Sequence, residues 1–327
     1  MATYIVRRLL GMIPTLVLVS ILTFVIIQLP QGDYATALAA QAAASGGTGD
    51  EAFIQTIRHQ YGLDQPMYVR YFTWILGCLH GDFGYSFEWH QPVADLIGAR
   101  IAMTLLLSVL ALAFSWAVAI PIGIYSATHQ YSKGDVALTS LGFLGLSIPD
   151  FMLALVYLFV ATTWLSASAS GIVSADLEQA PWSFGKFLDF LGHMIPAVII
   201  IGAAGAAQLI RIMRGNLLET LGQQYVTTAR AKGLKESVVV NRYAVRVAIN
   251  PLISVMGMQL PNLISGSVIV GVVLSLPTTG PLFLHALQNS DTYLAGTFLL
   301  LLALMLLIGN LLADIALAWA DPRIRYD

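Results

Sequence analysis

Six stretches of this chain are apolar over a length that suits a membrane helix. They lie at about 9–29, 101–127, 137–165, 191–210, 250–276 and 293–319. A helix needs roughly 20 mainly apolar residues to cross the hydrocarbon core of a bilayer. Backbone polar groups in lipid must be satisfied within the spanning structure, so only helices or a closed barrel are possible. Long unbroken runs, rather than short alternating ones, favour helices. The pattern predicts an all-α polytopic membrane protein with six transmembrane helices.

The basic residues are distributed unevenly among the segments that connect these spans. If the N-terminus lies inside, the inner segments hold twelve of the sixteen Lys and Arg residues and the outer segments hold four. The inner set is Arg7, Arg8, Lys133, Arg211, Arg214, Arg230, Lys232, Lys235, Arg242, Arg246, Arg323 and Arg325. The outer set is Arg58, Arg70, Arg100 and Lys186. The positive-inside rule therefore predicts that both the N- and C-termini are cytoplasmic.

The spans divide the chain into three predicted regions: an N-terminal anchor helix (1–30), an extracytoplasmic segment (31–100) and a five-helix core (101–327). The first run, with "ALAAQA" after it, also fits a secretory signal, but it exceeds the usual h-region of roughly 7–15 residues, which favours a retained anchor. In the extracytoplasmic segment we expect the small-residue stretch 35–52 to be mobile. The later part should form short helices and turns on the membrane surface, with Trp74 and Trp89 at the interface.

Composition agrees with a membrane location and narrows the chemistry. The chain is 57% hydrophobic and 10% charged, with a net charge of -2, and its mean hydropathy is +0.76. Cys78 is the only cysteine, which rules out an internal disulfide and a cysteine-based metal cluster. The sequence has no GxxxxGK[ST] phosphate loop, no HExxH and no GxGxxG that opens a helix after a strand. We therefore expect no catalytic residues, no metal site and no cofactor in this chain, and no ATP hydrolysis by the chain alone.

The longest inner segment, about 211–249, contains the charged stretch "YVTTARAKGLKE". We call its residues 225–236 the coupling segment. Its apolar positions permit one or more amphipathic helices that break at Gly233. From the residues alone, three interpretations stay open: a helix that binds lipid headgroups, a helix that presents a face to a soluble partner, and a solvated basic loop.

The motif in this segment resembles a known loop. "TTARAKGL", followed by "NRYAVRVAINPLI", is similar to the coupling loop of ATP-binding-cassette importer permeases, in particular the family that moves dipeptides, oligopeptides and nickel. The general loop pattern is Glu-Ala-Ala, three residues, then Gly. Thr227, Thr228 and Ala229 stand at the first three places, and Gly233 stands at the glycine. The variant Thr-Ala-Arg-Ala-Lys-Gly-Leu is matched throughout by 228–234.

The similarity extends over most of the chain. "RRLLGMIPTLVLVSILTFVI" resembles the first span of the family, and "YGLDQP" and "GDFGYS" resemble its outer segment. "SIPDF" at 147–151 and "DPRIRY" at 321–326 fit as well. The chain departs from the family after the fifth span, where Glu and Pro-Gly-Leu-Gly are common. Gly271 and "PTTGP" at 277–281 stand there instead, so gate and solute contacts do not transfer directly.

The resemblance implies a type I importer permease fold and a permease subunit of an ATP-driven, binding-protein-dependent importer in the bacterial inner membrane. The solute would be a peptide, with nickel, opines and oligosaccharides as alternatives. The implied partners are a homologous second permease, two ATPase subunits that bind ATP and Mg²⁺, an extracytoplasmic solute-binding protein and membrane lipid, but no nucleic acid. The residues implied in ATPase coupling are Tyr225, Thr227, Thr228, Ala229, Arg230, Ala231, Lys232, Gly233 and Leu234.

Two carboxylates lie inside predicted spans, where an ionisable group is a functional candidate. Asp150 follows Pro149, which should bend the third span. Asp150 either lines the pathway and binds a cationic solute group, or forms a hydrogen bond to a neighbouring helix. Asp314 lies four residues after Asn310, so both are on one face of the helix, and we predict that Asp314 makes a polar contact with a neighbouring helix. Both carboxylates would also suit an ion-coupled secondary carrier or channel without ATPase partners, which is the alternative function.

The small residues 202–207 predict close helix packing, within the chain or against a second subunit.

Overall fold

The computed structural model describes residues 2–29, 32–44, 51–164 and 169–320, and the described chain is almost entirely helical. The first part comprises α1 (Ala2–Ile27), α2 (Tyr34–Ala44), α3 (Glu51–Gln60), α4 (Met67–Leu79), the strands β1 (Tyr85–Ser86) and β2 (Gln91–Pro92), and α5 (Val93–Thr128). The second part comprises α6 (Lys133–Ser147), α7 (Asp150–Thr163), a 3₁₀ turn (Ala175–Leu177), α8 (Phe184–Leu221), α9 (Gln224–Ala231), α10 (Glu236–Val238), a π turn (Val239–Ala244), α11 (Val245–Ala248), α12 (Asn250–Val273), α13 (Thr279–Gln288) and α14 (Thr292–Ala320). The motif "DPRIRY" lies outside the described residues.

The chain divides into two compact units. The first comprises Thr104–Pro277 and the described residues from Leu306 onward. Its apolar core joins side chains of α5, α8, α9, the π turn, α11 and α12, among them Leu209, Met213 and Leu252. The second unit comprises Ala2–Met103 and Thr278–Met305. Its apolar clusters join the start of α5 to α13 and α14, and α2 to Phe87 in the connection between β1 and β2.

Four helices are long and apolar enough to cross a membrane: Val6–Ile27, Val93–Thr128, Phe184–Leu221 and Thr292–Ala316. Two further candidates are pairs of helices bent at a short break. Lys133–Ser147 and Asp150–Thr163 meet at 101°, and Glu236–Ala248 and Asn250–Gln259 meet at 45°. The described chain therefore contains between four and six candidate spans.

The predicted third span, at 137–165, is not one continuous helix. It divides at Ile148 and Pro149 into α6 and α7. Ile148 has φ -96° and ψ 121°, an extended conformation that the ring of a following proline favours over the helical one. The proline also lacks an N–H for a helical hydrogen bond. The expected bend at Pro149 is confirmed, but it is a full break.

The fourth span is longer than predicted. The apolar run ends near residue 210, yet α8 continues to Leu221, so the first eleven residues of the predicted loop 211–249 are helical. Met213 and Leu217 are fully buried, and with Leu209 they recur every four residues along one helix face. The basic residues after 210 therefore mark the polar face of the same helix and not the start of a loop.

Two expectations for the outer segment are wrong. Residues 35–44, expected to be mobile, belong to helix α2, and Ala35 and Ala39 are buried. Trp74, expected at the membrane interface, is 3% exposed and stacks on Phe24 of α1 with ring centroids 5.7 Å apart. A short helix predicted for the later part, 61–100, is present as α4, whereas α3 lies before that part and was not predicted.

The small-residue patch at 202–207 permits close helix packing, as predicted. A Cβ on Gly202 would lie 2.9 Å from the carbonyl oxygen of Ala111 and 2.7 Å from the ring of Phe114. Ser115 donates a hydrogen bond to the Gly202 carbonyl oxygen at 2.7 Å. Gly202 of this patch therefore packs against α5 of the same chain, and Ala203 and Ala207 lie next to Gly145 of α6. Any side chain larger than hydrogen at 202 would force α8 away from α5.

Candidate functional site

Helix α9, at the start of the coupling segment, has a buried stripe and an exposed face. Val226 is fully buried and Ala229 is 4% exposed, and their spacing of three residues places them on one side of the helix. Both belong to the apolar cluster that includes Leu217 of α8 and Leu252 of α12. Two short side chains therefore pack α9 onto the apolar core of the first unit, to which it belongs. The candidate residues left on the exposed face are Tyr225, Thr227, Thr228, Arg230 and Ala231.

The segment turns at Gly233, which has a left-handed φ of +75°. The Gly233 N–H donates to the Arg230 carbonyl at 2.9 Å, and the Lys232 N–H donates to the Thr228 carbonyl at 3.1 Å. A Cβ at Gly233 would have no heavy atom of this chain within 4 Å. The backbone conformation, and not a lack of space in the chain, therefore favours glycine here. The predicted break of the amphipathic helix at Gly233 is confirmed.

A two-point ion pair bridges this turn. Arg230 Nε lies 3.1 Å from Glu236 Oε2, and Arg230 Nη2 lies 2.6 Å from Glu236 Oε1. The hydrogen bond to the Glu236 carboxylate raises the pKa of Arg230. Both side chains are largely exposed, so the pair contributes little to global stability. It links α9 to the start of α10 and so fixes the shape of the exposed turn, which includes Lys232, Leu234 and Lys235.

The residues after the turn anchor its far side. Val239 and Ala244 of the π turn and Ala248 of α11 are buried in the same apolar cluster as α9. A π turn is rare in proteins and is frequent at functional sites. The exposed turn is thus held at both ends by the core of the first unit, and a force applied to the turn would reach α8 and α12 through these contacts.

An ion pair that no sequence pattern indicated joins α6 and α8. Arg214 Nε and Nη2 on α8 each lie 3.0 Å from a carboxylate oxygen of Asp135 on α6. The same carboxylate accepts from the Tyr131 N–H at 2.9 Å and from the Thr139 hydroxyl at 3.1 Å. Asp135 is 3% exposed, so a buried carboxylate is fully partnered. Arg214 was counted only as an inside charge, because no local spacing links it to a residue 79 positions away.

Pro149 and Asp150 lie at the break between α6 and α7. Asp150 is the first residue of α7 and is partly exposed. Its Oδ2 lies 3.1 Å from the position that a Cβ on Gly266 of α12 would occupy. Among the ion pairs of the described residues, none includes Asp150. The structure therefore places a carboxylate without a charged partner beside a glycine of α12.

Two family profiles together match nearly the whole chain. The family described as "Binding-protein-dependent transport system inner membrane component" matches residues 119–326, and its N-terminal counterpart matches residues 1–108. The oligopeptide transport system permease protein AppB of Bacillus subtilis (strain 168) is 36% identical over 327 residues, which is 100% of both chains. The dipeptide transport system permease protein DppB of Escherichia coli (strain K12) is 33% identical over 342 residues, which is 100% of this chain and 99% of the relative.

A third relative and one solved structure extend the comparison. The glutathione transport system permease protein GsiC of Shigella boydii serotype 4 (strain Sb227) is 32% identical over 329 residues, which is 100% of both chains. A chain in the inward-facing MetNI methionine ABC transporter matches with a TM-score of 0.53 and 15% identity, and the match covers 69% of this chain and 96% of that one. At this identity the structural likeness shows a common fold only.

Proposed function

The chain belongs to the family of binding-protein-dependent transport system inner membrane components, and from this membership we propose how its coupling segment serves transport. It is the permease subunit of a binding-protein-dependent importer of the bacterial inner membrane and is not itself an enzyme. The predicted family is confirmed, and the ion-coupled carrier that the sequence left open is set aside.

The coupling segment is proposed to be the surface that the ATPase subunits contact. The observation that carries this proposal is the combination of a buried stripe, Val226 and Ala229, with an exposed face at 225–234. A solvated basic loop would need no such anchor. Docking of the exposed face in a groove of the ATPase leaves the anchor undisturbed, so movement of the ATPase pulls on the core of the first unit.

Movement would then pass to the spans through packed side chains. Val226 and Ala229 share one cluster with α8 and α12, and the ion pair of Asp135 with Arg214 joins α8 to α6. ATP-driven closure of the ATPase pair displaces the coupling segment, and these helices follow as rigid elements. The proposal therefore assigns Arg214 and Asp135 to transmission. Ala229, predicted to be a coupling contact, is buried and belongs to the anchor instead, and the other eight coupling residues are assigned to contact.

We place six spans across the membrane, with both termini in the cytoplasm. The bent pair Lys133–Ser147 and Asp150–Thr163 counts as the third span in this topology, and α12 (Asn250–Val273) supplies the fifth. Support comes from the basic residues, of which twelve of sixteen lie on the inner side in this arrangement. Two of the twelve, Arg323 and Arg325, lie outside the described residues. The coupling segment is then cytoplasmic, on the side where ATP is available.

The proposed complex contains a homologous second permease, two ATPase subunits and an extracytoplasmic solute-binding protein, all surrounded by lipid. ATP and Mg²⁺ bind to the ATPase subunits in this arrangement, since permeases of the family have no cofactor of their own. In the described part of the chain, no group of three or more His, Cys, Asp or Glu side chains is placed to hold a metal ion.

A peptide is the proposed solute. Three relatives that match this chain over its full length are named for oligopeptides, dipeptides and glutathione, all of which contain peptide bonds. Pro149 and Asp150 are the proposed pathway residues. The break at Pro149 exposes part of the Asp150 carboxylate next to Gly266, where it meets the ammonium group of a passing peptide. Asp150→Asn should therefore reduce uptake of free peptides more than uptake of N-acetylated ones.

Reconstitution in proteoliposomes tests the function directly. The chain with its permease and ATPase partners, ATP and the solute-binding protein should take up a labelled oligopeptide. The chain alone should take up none, even with a proton or sodium gradient. Gradient-driven uptake by the chain alone would contradict the proposal.

A further inference from the structure

The second unit contains a polar cavity that the coupling mechanism does not use. It has a volume of about 260 Å³, and its polar lining is Tyr34, Gln41, Glu88, His90 and Asn289. α2 supplies the first two, the connection between β1 and β2 supplies the next two, and Asn289 follows α13. All five belong to one compact unit. We call this space the Glu88 cavity.

Glu88 has an unmet electrostatic requirement. Its Oε2 is buried and has no hydrogen-bond partner among the described residues. A buried carboxylate oxygen without a donor is unfavourable, because it has lost its hydrogen bonds to water and accepts none from the protein. In contrast, the nearby Asp291 is satisfied, since it accepts from the Ser86 hydroxyl at 2.5 Å, the Phe87 N–H at 3.0 Å and the Leu294 N–H at 3.3 Å. Oε2 of Glu88 therefore lacks a hydrogen-bond donor among the described residues, while the half-buried side chain as a whole lines the cavity.

The surroundings of Glu88 favour a cation as that donor. The pKa of Tyr34 is raised to about 12 by burial and by the nearby Tyr61, Asp291 and Glu88, so its hydroxyl stays neutral at physiological pH. Tyr34 also presents an aromatic ring, which attracts ammonium and guanidinium groups. The cavity thus combines a carboxylate, a neutral hydroxyl and an aromatic wall.

The frame of the cavity is formed in advance. Tyr34, Tyr61 and Phe87 are in mutual ring contact, with centroids 5.1 to 5.6 Å apart. Tyr61 Oη lies 3.1 Å from His90 Nδ1, and His90 has a left-handed φ of 48°. Because these contacts fix the walls, little ordering is required when a side chain enters, which favours binding.

We propose that the Glu88 cavity receives a Lys or Arg side chain of the solute-binding protein, an inference that rests on the proposed function. Charge supports a protein partner: residues 31–100 contain seven acidic and three basic residues, a difference of -4 before histidine is counted. An acidic excess spread over a whole segment suits an extended basic surface and not a single free amine. Glu88 then pairs with one basic side chain at the centre of that contact.

Binding of the solute-binding protein to the purified complex in nanodiscs tests this inference. Glu88→Gln should weaken the affinity about tenfold or more, since removal of one partner leaves the incoming charge unpaired, and the salt dependence should become shallower. Asn289→Lys should weaken it similarly, because the new ammonium group occupies the cavity. Asp64→Asn, which removes an exposed carboxylate of the same segment, is the matched control: it lowers the acidic excess by the same amount and should weaken binding much less than Glu88→Gln.

Three results would overturn the inference while leaving the proposed function intact. In the first, Glu88→Gln binds like the wild type. In the second, Glu88→Gln weakens binding but Asn289→Lys does not, which shows a structural role. In the third, ethylammonium chloride protects the wild type, but not Glu88→Gln, against thermal unfolding and does not compete with the solute-binding protein, which shows a small-amine site. If the wild-type complex binds no solute-binding protein under any condition, the proposed function fails as well.

Discussion

Asp135 of α6 and Arg214 of α8 form a two-point ion pair, with both N···O distances at 3.0 Å. The carboxylate is buried, whereas a quarter of the arginine side chain is exposed. Breaking a buried pair is costly because one charge is left without compensation. Asp135→Asn should therefore lower the thermal midpoint of the purified complex by about 5 °C or more. ATP-driven uptake should fall further than the loss of folded protein explains.

The control is Arg211→Gln, which changes an exposed arginine three residues before Arg214 and should leave the thermal midpoint unchanged. The double variant Asp135→Asn/Arg214→Gln should be less destabilised than the sum of the two single variants, since paired residues are coupled. Additive effects would show that the pair does not act as a unit.

Gly233 should tolerate asparagine better than valine. Its φ of +75° costs a residue with a Cβ about 1–2 kcal/mol, and asparagine less, whereas the space around it in this chain is open. Gly233→Val should leave the chain folded but reduce uptake and retention of the ATPase subunits severely. Gly233→Asn should keep a larger share of both. Lys235→Ala is the control and should match the wild type in uptake and retention. Normal retention and uptake in Gly233→Val would show that the coupling segment is only a solvated basic loop.

Sequence patterns predicted the elements that depend on local chemistry. The apolar runs located the helices, Gly233 marked the turn, and Pro149 marked the break, since each follows from the conformational preference of one residue or one repeat. The continuation of α8 past residue 210 could have been found from the four-residue spacing of Leu209, Met213 and Leu217. The low hydropathy of the residues after 210 obscured this spacing.

Long-range contacts were not predictable in the same way. The pairing of Asp135 with Arg214 and the burial of Trp74 against Phe24 both depend on how distant helices pack. The Glu88 cavity likewise requires α2, the β1–β2 connection and the end of α13 to meet. Contacts between elements that are distant in the chain leave no periodic pattern in a single sequence. Only the chemical types of the residues were available, and those allow many partners.

The pH dependence of the second unit should reflect Asp291. Burial raises the pKa of this carboxyl, and its hydrogen bonds with Ser86, Leu294, Glu88 and Phe87 only partly offset the effect. A folded-state pKa above the unfolded value means that the folded form binds more protons in between. Stability from this group is therefore present below the ordinary aspartate pKa and is lost as pH rises through the raised value.

Hydrogen exchange of the amides at 85–91 measures this effect. After correction for intrinsic rates, protection should decrease in the wild type as pH rises above the ordinary aspartate pKa. Asp291→Asn should remove the part of the slope that Asp291 contributes. An unchanged slope in Asp291→Asn would assign the dependence to another group.

Cysteine labelling tests the six-span topology. In a background without Cys78, whose thiol pKa burial raises to about 11, Gln65→Cys and Lys133→Cys place one exposed thiol in the outer segment and one at the start of α6. A membrane-impermeant maleimide added to intact cells should label Gln65→Cys alone. Both sites should be labelled after permeabilisation. Labelling of Lys133→Cys in intact cells would contradict the proposed orientation.

The central claim is that the ATPase subunits contact the exposed face of the coupling segment. Photo-cross-linking at Thr228, on that face, measures the contact in the assembled and active complex. Tyr131 is 81% exposed and is predicted to be on the same side of the membrane, so it is the matched control position. We predict that a photoreactive residue at 228 cross-links to the ATPase subunit and that one at 131 does not. A complex that transports its solute without a cross-link from 228 to the ATPase would contradict the account.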